Sequence, residues 1–353
     1  MIFEKVERIM EKTGVQAIIV TDPYNIRYLS GFSGGEGYLY ISKFASVMYV
    51  DSRYTLWAKS ECKECAVETT GRQRYKEVND RIVKEGIENI ALEGKHLTYN
   101  MFRELSEALV CKNITALSDE LEHLRMIKSA YEIERIEKAE SIGDEAFTYI
   151  LGEIRPGMTE KETAMLIEMY MRSHGADALS FDVIAASGLN SAKPHATPSD
   201  KKICNGDFVV LDFGCVYEGY CSDMTRTIVV GKPDGRQVEI YNIVKTAQQA
   251  ALDNIKAGMT GREADAKART VIENKGYADC FGHGLGHGIG LYIHEMPRLS
   301  LSSDTVLESG MVVSVEPGIY IDGFGGVRIE DAVVIQNDGV RNLTKSCKEL
   351  ISV

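Results

Sequence analysis

At 353 residues, 44% of them apolar and 26% charged, the chain has the composition of a soluble globular protein and the length for two domains. Its 40 basic and 52 acidic side chains leave a net charge of −12, which argues against a nucleic-acid partner or an anionic membrane surface. No apolar run approaches the ~20 residues of a membrane span. The mixed-charge start MIFEKVERIMEK does not read as a signal peptide, and eight scattered cysteines suit reduced thiols, so a cytoplasmic location is expected. Cys62 and Cys65 form a CxxC, but no second pair or nearby histidine supports a zinc or redox role.

The first third alternates short apolar runs with helical patterns. Val15–Val20, Gly37–Ile41, Ser46–Val50, Ala66–Thr69 and Ile87–Leu92 read as strands; Phe3–Lys12, Tyr54–Ser60, Tyr75–Lys84 and Tyr99–Val110 read as helices. This is the pattern of an α/β domain with a mixed or largely parallel sheet, ending near Ser118–Leu124, with Asp22-Pro23 and Ser33-Gly34-Gly35 as turns. One long amphipathic helix then opens the second domain, with Ile133, Ile136, Ala139, Ile142 and Phe147 at helical spacing and its Glu and Lys read as a solvated face.

The second domain repeats itself. IRPGMTEKE (154–162) matches IKAGMTGRE (255–263), and in both copies a threonine, Thr159 or Thr260, stands three residues before a glutamate, the signature of a capped helix start. A strand hairpin follows each copy, so two related αα-ββ halves packed as one domain are expected.

Both hairpins carry acids where apolar strands should not. Asp212 and Asp223 flank a turn at Glu218-Gly219, and Glu316 and Glu330 lie symmetrically about Gly323. A carboxylate buried without a cation costs several kcal/mol (roughly), so four converging acids call for divalent metal ions. An imidazole is available from FGHGLGHGIGLYIHEMP (281–297), where glycines strip away bulk around His283, His287 and His294; another, His195, lies in the proline-flanked loop NSAKPHATPSD. The glycine loop fits neither a dinucleotide fingerprint nor an HExxH helix, since position 289 is Ile and position 298 is Arg.

The ordered set Asp212, Asp223, His287, Glu316 and Glu330, in the settings LDFG, SDMTRT, GHGIG, VEPGIY and GVRIED, resembles the pita-bread metallopeptidases. NIRYLSGFSG and DSRY resemble the amino-terminal domain of the Xaa-Pro branch of that family, that of aminopeptidase P, prolidase and the creatinases. The resemblance implies a creatinase/prolidase-like N-terminal α/β domain over 1–124 and a pseudo-symmetric catalytic domain over 125–353. It further implies that the five residues bind two divalent ions, with Asp223 and Glu330 bridging. Mn²⁺ or Co²⁺ suits such a carboxylate-rich shell, with Zn²⁺ also compatible. By the same resemblance His195 and His294 contact substrate or stabilise the transition state, His283 lines the proline-side pocket and Arg328 orders the site.

The implied activity is hydrolysis of the Xaa-Pro bond, in dipeptides or at peptide N-termini, by attack of a metal-bridging hydroxide with Glu316 moving its proton. A homodimer acting on proline-containing peptides is implied as well. Two competing readings are a non-catalytic peptide-binding protein of this fold and a creatinase-like hydrolase of a guanidino compound; the complete set of acids and imidazole disfavours both.

Overall fold

In the computed structural model, which describes residues 2–353, the chain divides into two compact units, Met1–Arg125 and Met126–Val353. The first unit runs α1 (Ile2–Thr13), β1 (Ala17–Val20), α2 (Pro23–Ser30), β2 (Tyr38–Ser42), β3 (Ser46–Val50), α3 (Thr55–Glu61), β4 (Ala66–Thr69), α4 (Lys76–Glu85), β5 (Asn89–Glu93), α5 (Tyr99–Ala108), β6 (Asn113–Leu117) and α6 (Glu120–His123). Its strands form a six-stranded sheet in the order β4-β3-β2-β1-β5-β6, antiparallel at β1–β2 and β2–β3 and parallel elsewhere. The expected mixed α/β pattern is therefore present, but β6 and α6 were not among the expected elements, and one expected turn is corrected. Asp22-Pro23, read as a turn, starts a helix: Asp22 accepts from the Tyr24 N–H, and Pro23 occupies the first turn, where its missing N–H has no intrahelical partner to lose.

The first half of the second unit contains α7 (Ala130–Glu153), α8 (Glu160–Ser173), β7 (Ala178–Leu179), β8 (Ile184–Ser187), β9 (Phe208–Phe213), β10 (Cys215–Tyr217), β11 (Tyr220–Cys221) and β12 (Met224–Val229). The second half contains α9 (Gly235–Asn254), α10 (Gly261–Asn274), β13 (Gly286–Gly288), β14 (Glu295–Leu299), β15 (Val312–Val315), β16 (Gly318–Ile321), β17 (Gly325–Arg328), β18 (Asp331–Gln336) and β19 (Gly339–Asn342). Thr159 and Thr260 each close a capping box with the glutamate three residues on, at the head of α8 and α10 respectively. The sequence repeat is thus a structural one.

The two hairpins are interrupted ladders. Each bends midway, so that β9 pairs with β12 but β10 pairs with β11, and β15 pairs with β18 but β16 pairs with β17. In the first hairpin the bend falls at Gly214, where a Cβ would collide with the Ser222 carbonyl. Asp223, Glu316 and Glu330 lie in the breaks between strand segments, and Asp212 lies near the end of β9. The two hairpins touch there: the Glu330 N–H donates to the Thr225 carbonyl at 3.1 Å, a bridge between halves. The bend is what lets acids on opposite hairpins face one another.

Helix α7 also departs from its reading as a simple solvated face. Glu132 serves a capping box with Ser129, and Glu140 is fully buried.

Candidate metal centre and active site

The acids meet at the floor of a cavity of about 710 Å³, within the usual range for a small-molecule site. Asp212, Asp223, His287, Glu316 and Glu330 all line it, as do His195, His283, His294 and Arg328, so the structure brings together every site residue singled out in the sequence.

His287 shows what the floor is built to hold. Its Nδ1–H donates to the Gly288 carbonyl at 3.1 Å, which leaves the Nε2 lone pair facing inward. Asp223 Oδ2 and Glu316 Oε1 each lie 3.4 Å from that nitrogen. Three acceptors facing one another without a proton repel; a cation among them reverses the sign. Ligand atoms of Asp223, His287 and Glu330 lie within 4.8 Å of one another, and Asp212 Oδ1 and Glu330 Oε1 are buried with no hydrogen-bond partner among the described residues. Buried acceptors with no donor beside them fit a divalent cation with oxygen and imidazole ligands.

The electrostatics agree. Burial pushes Asp223 well above its ordinary pKa, and repulsion from Glu330, Asp212 and Glu316 adds to it. Glu330 is raised in the same way by burial and by Glu316 and Asp212, while burial lifts Glu316 to about 7. Burial lowers His287 to about 3, so its imidazole is neutral, as a metal ligand must be.

Side chains around the floor are held by donors. Glu330 Oε2 accepts from Thr225 Oγ1 at 2.6 Å, and Glu316 Oε1 accepts from Ser314 Oγ at 3.0 Å. Arg328 forms a buried ion pair with Asp212 and donates to Tyr320 Oη at 2.7 Å. The His283 Nδ1–H donates to the Gly284 carbonyl, so Nε2 accepts from the Tyr320 hydroxyl at 3.0 Å. Arg328, Tyr320 and His283 therefore form one chain ending on Asp212. The His294 ring stands edge-on to His287 with centroids 4.5 Å apart, and burial lowers its pKa.

The glycines of 282–290 do less for ligand access than their number suggested. A Cβ on Gly286 would collide with the Ser314 carbonyl, and one on Gly288 with that of Met296, so these two admit neighbouring strands. Only Gly284 and Gly286 among them line the cavity.

Arg226 pairs with neither aspartate of its hairpin. It is buried, donates to the Glu330 carbonyl at 2.5 Å and to Asp331 Oδ1 at 2.8 Å, and so fixes the backbone that carries Glu330.

Sequence reasoning missed Glu140 and Tyr320. Glu140 accepts from the Asp223 N–H at 2.8 Å and from Thr344 Oγ1 at 2.9 Å, and burial lifts its carboxyl to about 8. It sets the backbone of Asp223 from a helix far away in sequence. The only local signal was its spacing of four residues from Ile136, which puts it on the apolar face of α7.

A repeated-half domain that gathers buried acids and an imidazole where its hairpins meet has the donor set of a divalent-metal site. The chain belongs to metallopeptidase family M24, whose model matches residues 134–337, and the Creatinase/Prolidase N-terminal domain matches residues 3–127. It is a metallopeptidase, of a family that uses divalent metal ions. It is 42% identical to the Xaa-Pro dipeptidase of Pyrococcus furiosus over 349 residues, 99% of each chain. Among solved structures, the Xaa-Pro dipeptidase from Bacillus anthracis superposes with a TM-score of 0.98 at 45% identity, covering 100% of this chain and 99% of that one. The X-Pro aminopeptidase from Thermotoga maritima gives 0.91 at 39% identity, covering 98% and 99%.

Proposed function

We propose that this protein is an Xaa-Pro dipeptidase whose catalytic unit is residues 125–353, with 1–124 as its N-terminal creatinase/prolidase-like domain. The observation that carries the reading is the cavity floor, where the acids, the inward Nε2 of His287 and two buried carboxylate oxygens without a hydrogen-bond donor among the described residues converge. Full-length similarity to proteins named Xaa-Pro dipeptidase supplies the substrate class.

Asp212, Asp223, His287, Glu316 and Glu330 would hold two divalent ions, Mn²⁺ or Co²⁺ by the carboxylate-rich, hard donor set, with Zn²⁺ compatible. When bound, the metal supplies Lewis acidity and water activation at neutral pH.

The chain's own side chains do the rest. Glu316 Oε1, held by Ser314, accepts a proton from the attacking water and passes it to the departing proline nitrogen. That proton matters because proline leaves as a secondary amine from an amide with no N–H of its own. His294 and His195 donate to the oxygen that gains charge as the carbonyl is attacked. His294 does so as a neutral imidazole, since burial lowers its pKa. His283, fixed by Tyr320, walls the proline side, and Arg328 keeps Asp212 in place.

Hydrolysis of Xaa-Pro dipeptides against Xaa-Pro-Yaa-Zaa peptides, with Mn²⁺ present, tests the reading. Dipeptide turnover should dominate; cleavage of neither would sink it. Cleavage of the longer peptide alone favours an aminopeptidase, the reading that likeness to the Thermotoga enzyme supports.

A cytoplasmic homodimer completes the proposal. Among the described residues the eight cysteines are free thiols and no helix is long and apolar enough to cross a membrane, while Leu56 and Trp57 of the first unit expose apolar surface suited to a second copy. Sedimentation at micromolar concentration reads the dimer directly.

A further inference from the structure

A glutamate in the first turn of a helix ordinarily points to solvent, where the helix dipole favours it. Helix α8 does not need Glu160 for its start, because Thr159 and Glu162 already close the capping box, with the Thr159 N–H donating to Glu162 Oε2 at 2.7 Å. Yet Glu160 is fully buried.

Its carboxylate is saturated with donors from one loop. Oε1 accepts from the Ser187 N–H at 2.7 Å, from Ser187 Oγ at 2.9 Å and from Asn190 Nδ2 at 3.1 Å. Oε2 accepts from the Ser199 N–H at 3.0 Å and from Ser199 Oγ at 2.6 Å. Burial works to raise its pKa, but the donations from Ser199, Ser187 and Asn190 outweigh burial and hold it below the ordinary value, so it is ionised at neutral pH.

Between those two anchor points runs the segment whose Pro194, His195, Ala196, Thr197 and Pro198 line the cavity. Its middle is tied from the other side, where Arg328 Nη1 donates to the Pro194 carbonyl at 3.2 Å and the Gly326 N–H donates to Ser191 Oγ at 2.9 Å. The duplicated half shows that the fold does not require the carboxylate. There the equivalent helix start has the same capping box with Gly261 in this position, and the Arg298 carbonyl fills the space a side chain would take.

We infer that Glu160 is a positioning residue for the reaction: its buried carboxylate holds both ends of loop 187–199 and so fixes the placement of His195 and the cavity wall beside it. The inference rests on the role proposed above for His195.

Glu160→Gln tests it at nearly constant volume. The amide nitrogen must face the donors of Ser187 or of Ser199, which weakens the hold on one end of the loop, leaving there only the Ser187 pairing with Val209 or the Lys161 N–H bond to the Ser199 carbonyl. In the Mn²⁺-loaded enzyme, kcat/KM for an Xaa-Pro dipeptide should fall roughly 10- to 100-fold with metal content unchanged, the scale of a displacement near 1 Å. Ser199→Ala, which removes a single donor, should fall in the same direction by less and covers the case in which Glu160→Gln folds poorly. Glu162→Ala breaks the capping box on the same turn and should lower Tm without lowering kcat/KM.

The double variant Glu160→Gln/His195→Ala should be no slower than His195→Ala beyond about twofold, since both changes act through one loop. Wild-type kcat/KM in Glu160→Gln, metal lost in proportion to activity, an equal activity loss in Glu162→Ala, or additive losses in the double variant would each overturn the inference. A fully active His195→Ala enzyme overturns the His195 role and this inference with it. A slow His195→Ala beside a fully active Glu160→Gln overturns the inference alone.

Discussion

The two halves of the second unit start from the same plan and end with different chemistry. Each presents a Thr-capped helix and a bent hairpin with two acids at its centre. The first half brings aspartates and the second glutamates. Each half also anchors an imidazole-bearing loop from its second helix, but by different means. In the first, Glu160 at the start of α8 gathers hydroxyl and amide donors of the His195 loop. In the second, Asp265 and Arg269, further along α10, form a buried ion pair; Asp265 accepts from the Leu285 N–H, and Arg269 donates to the carbonyls of Phe281 and His283. The matching residues of α8 are Ala164 and Glu168, and Glu168 pairs at the surface with Arg172 instead of reaching a loop.

Duplication thus supplied the scaffold, and the site drew its asymmetry from side chains that the scaffold leaves free. The ion pair serves the loop that carries His287 at the floor. Neutral donors on one carboxylate serve the loop at the wall.

The largest expected effect removes what the halves share. Asp223→Asn or Glu330→Gln, one from each hairpin, should abolish tight binding of a second metal ion and turnover together, as read by metal analysis and assay at saturating Mn²⁺. Full turnover by either would end the assignment of these acids as ligands.

Breaking the ion-pair anchor comes next. Arg269→Met strands a buried Asp265 and should cost about 3–5 kcal/mol of folding stability, measured by chemical denaturation. A cost near that of a surface ion pair would show that the second half does not depend on it.

His294→Ala, on the imidazole-rich half, should lower kcat by roughly 100-fold, about 3 kcal/mol, with metal retained. Metal lost in parallel with kcat would make its role structural.

The smallest effect is the pH response of the shared floor. In metal-stripped protein the raised Asp223, Glu330 and Glu316 carboxyls favour the folded state fully only below their ordinary values of 3.8 and 4.5. That contribution is lost as pH rises, for Glu316 through about 7. Metal competes with those protons, so the Tm gap between Mn²⁺-loaded and EDTA-treated protein should widen from pH 4.5 to 7. Parallel Tm curves would mean that the acids are not neutralised by metal.

Much was legible from the chain alone, for a local reason. Acids in apolar strands, glycine-flanked histidines and Thr-x-x-Glu helix starts are exceptions to local pattern, and Asp212, Asp223, His287, Glu316, Glu330 and the paired capping boxes all announce themselves that way. Glu160, Asp265 and Arg269 break no local rule, and Glu140 departs from pattern only in falling four residues after Ile136 on the apolar face of α7. An acid in a helix first turn, or an Asp and Arg four residues apart on a helix, is what a solvated surface also displays. Only the tertiary structure distinguishes them, because burial and hydrogen-bond partners come from segments distant in the chain: Ser199 for Glu160, Leu285 for Asp265, Thr344 for Glu140. The sequence by itself determined which groups could do chemistry. The bend at Gly214 and the contact of Thr225 with Glu330 decided that they would meet, since facing acids on two hairpins is a property of how strands turn and pack.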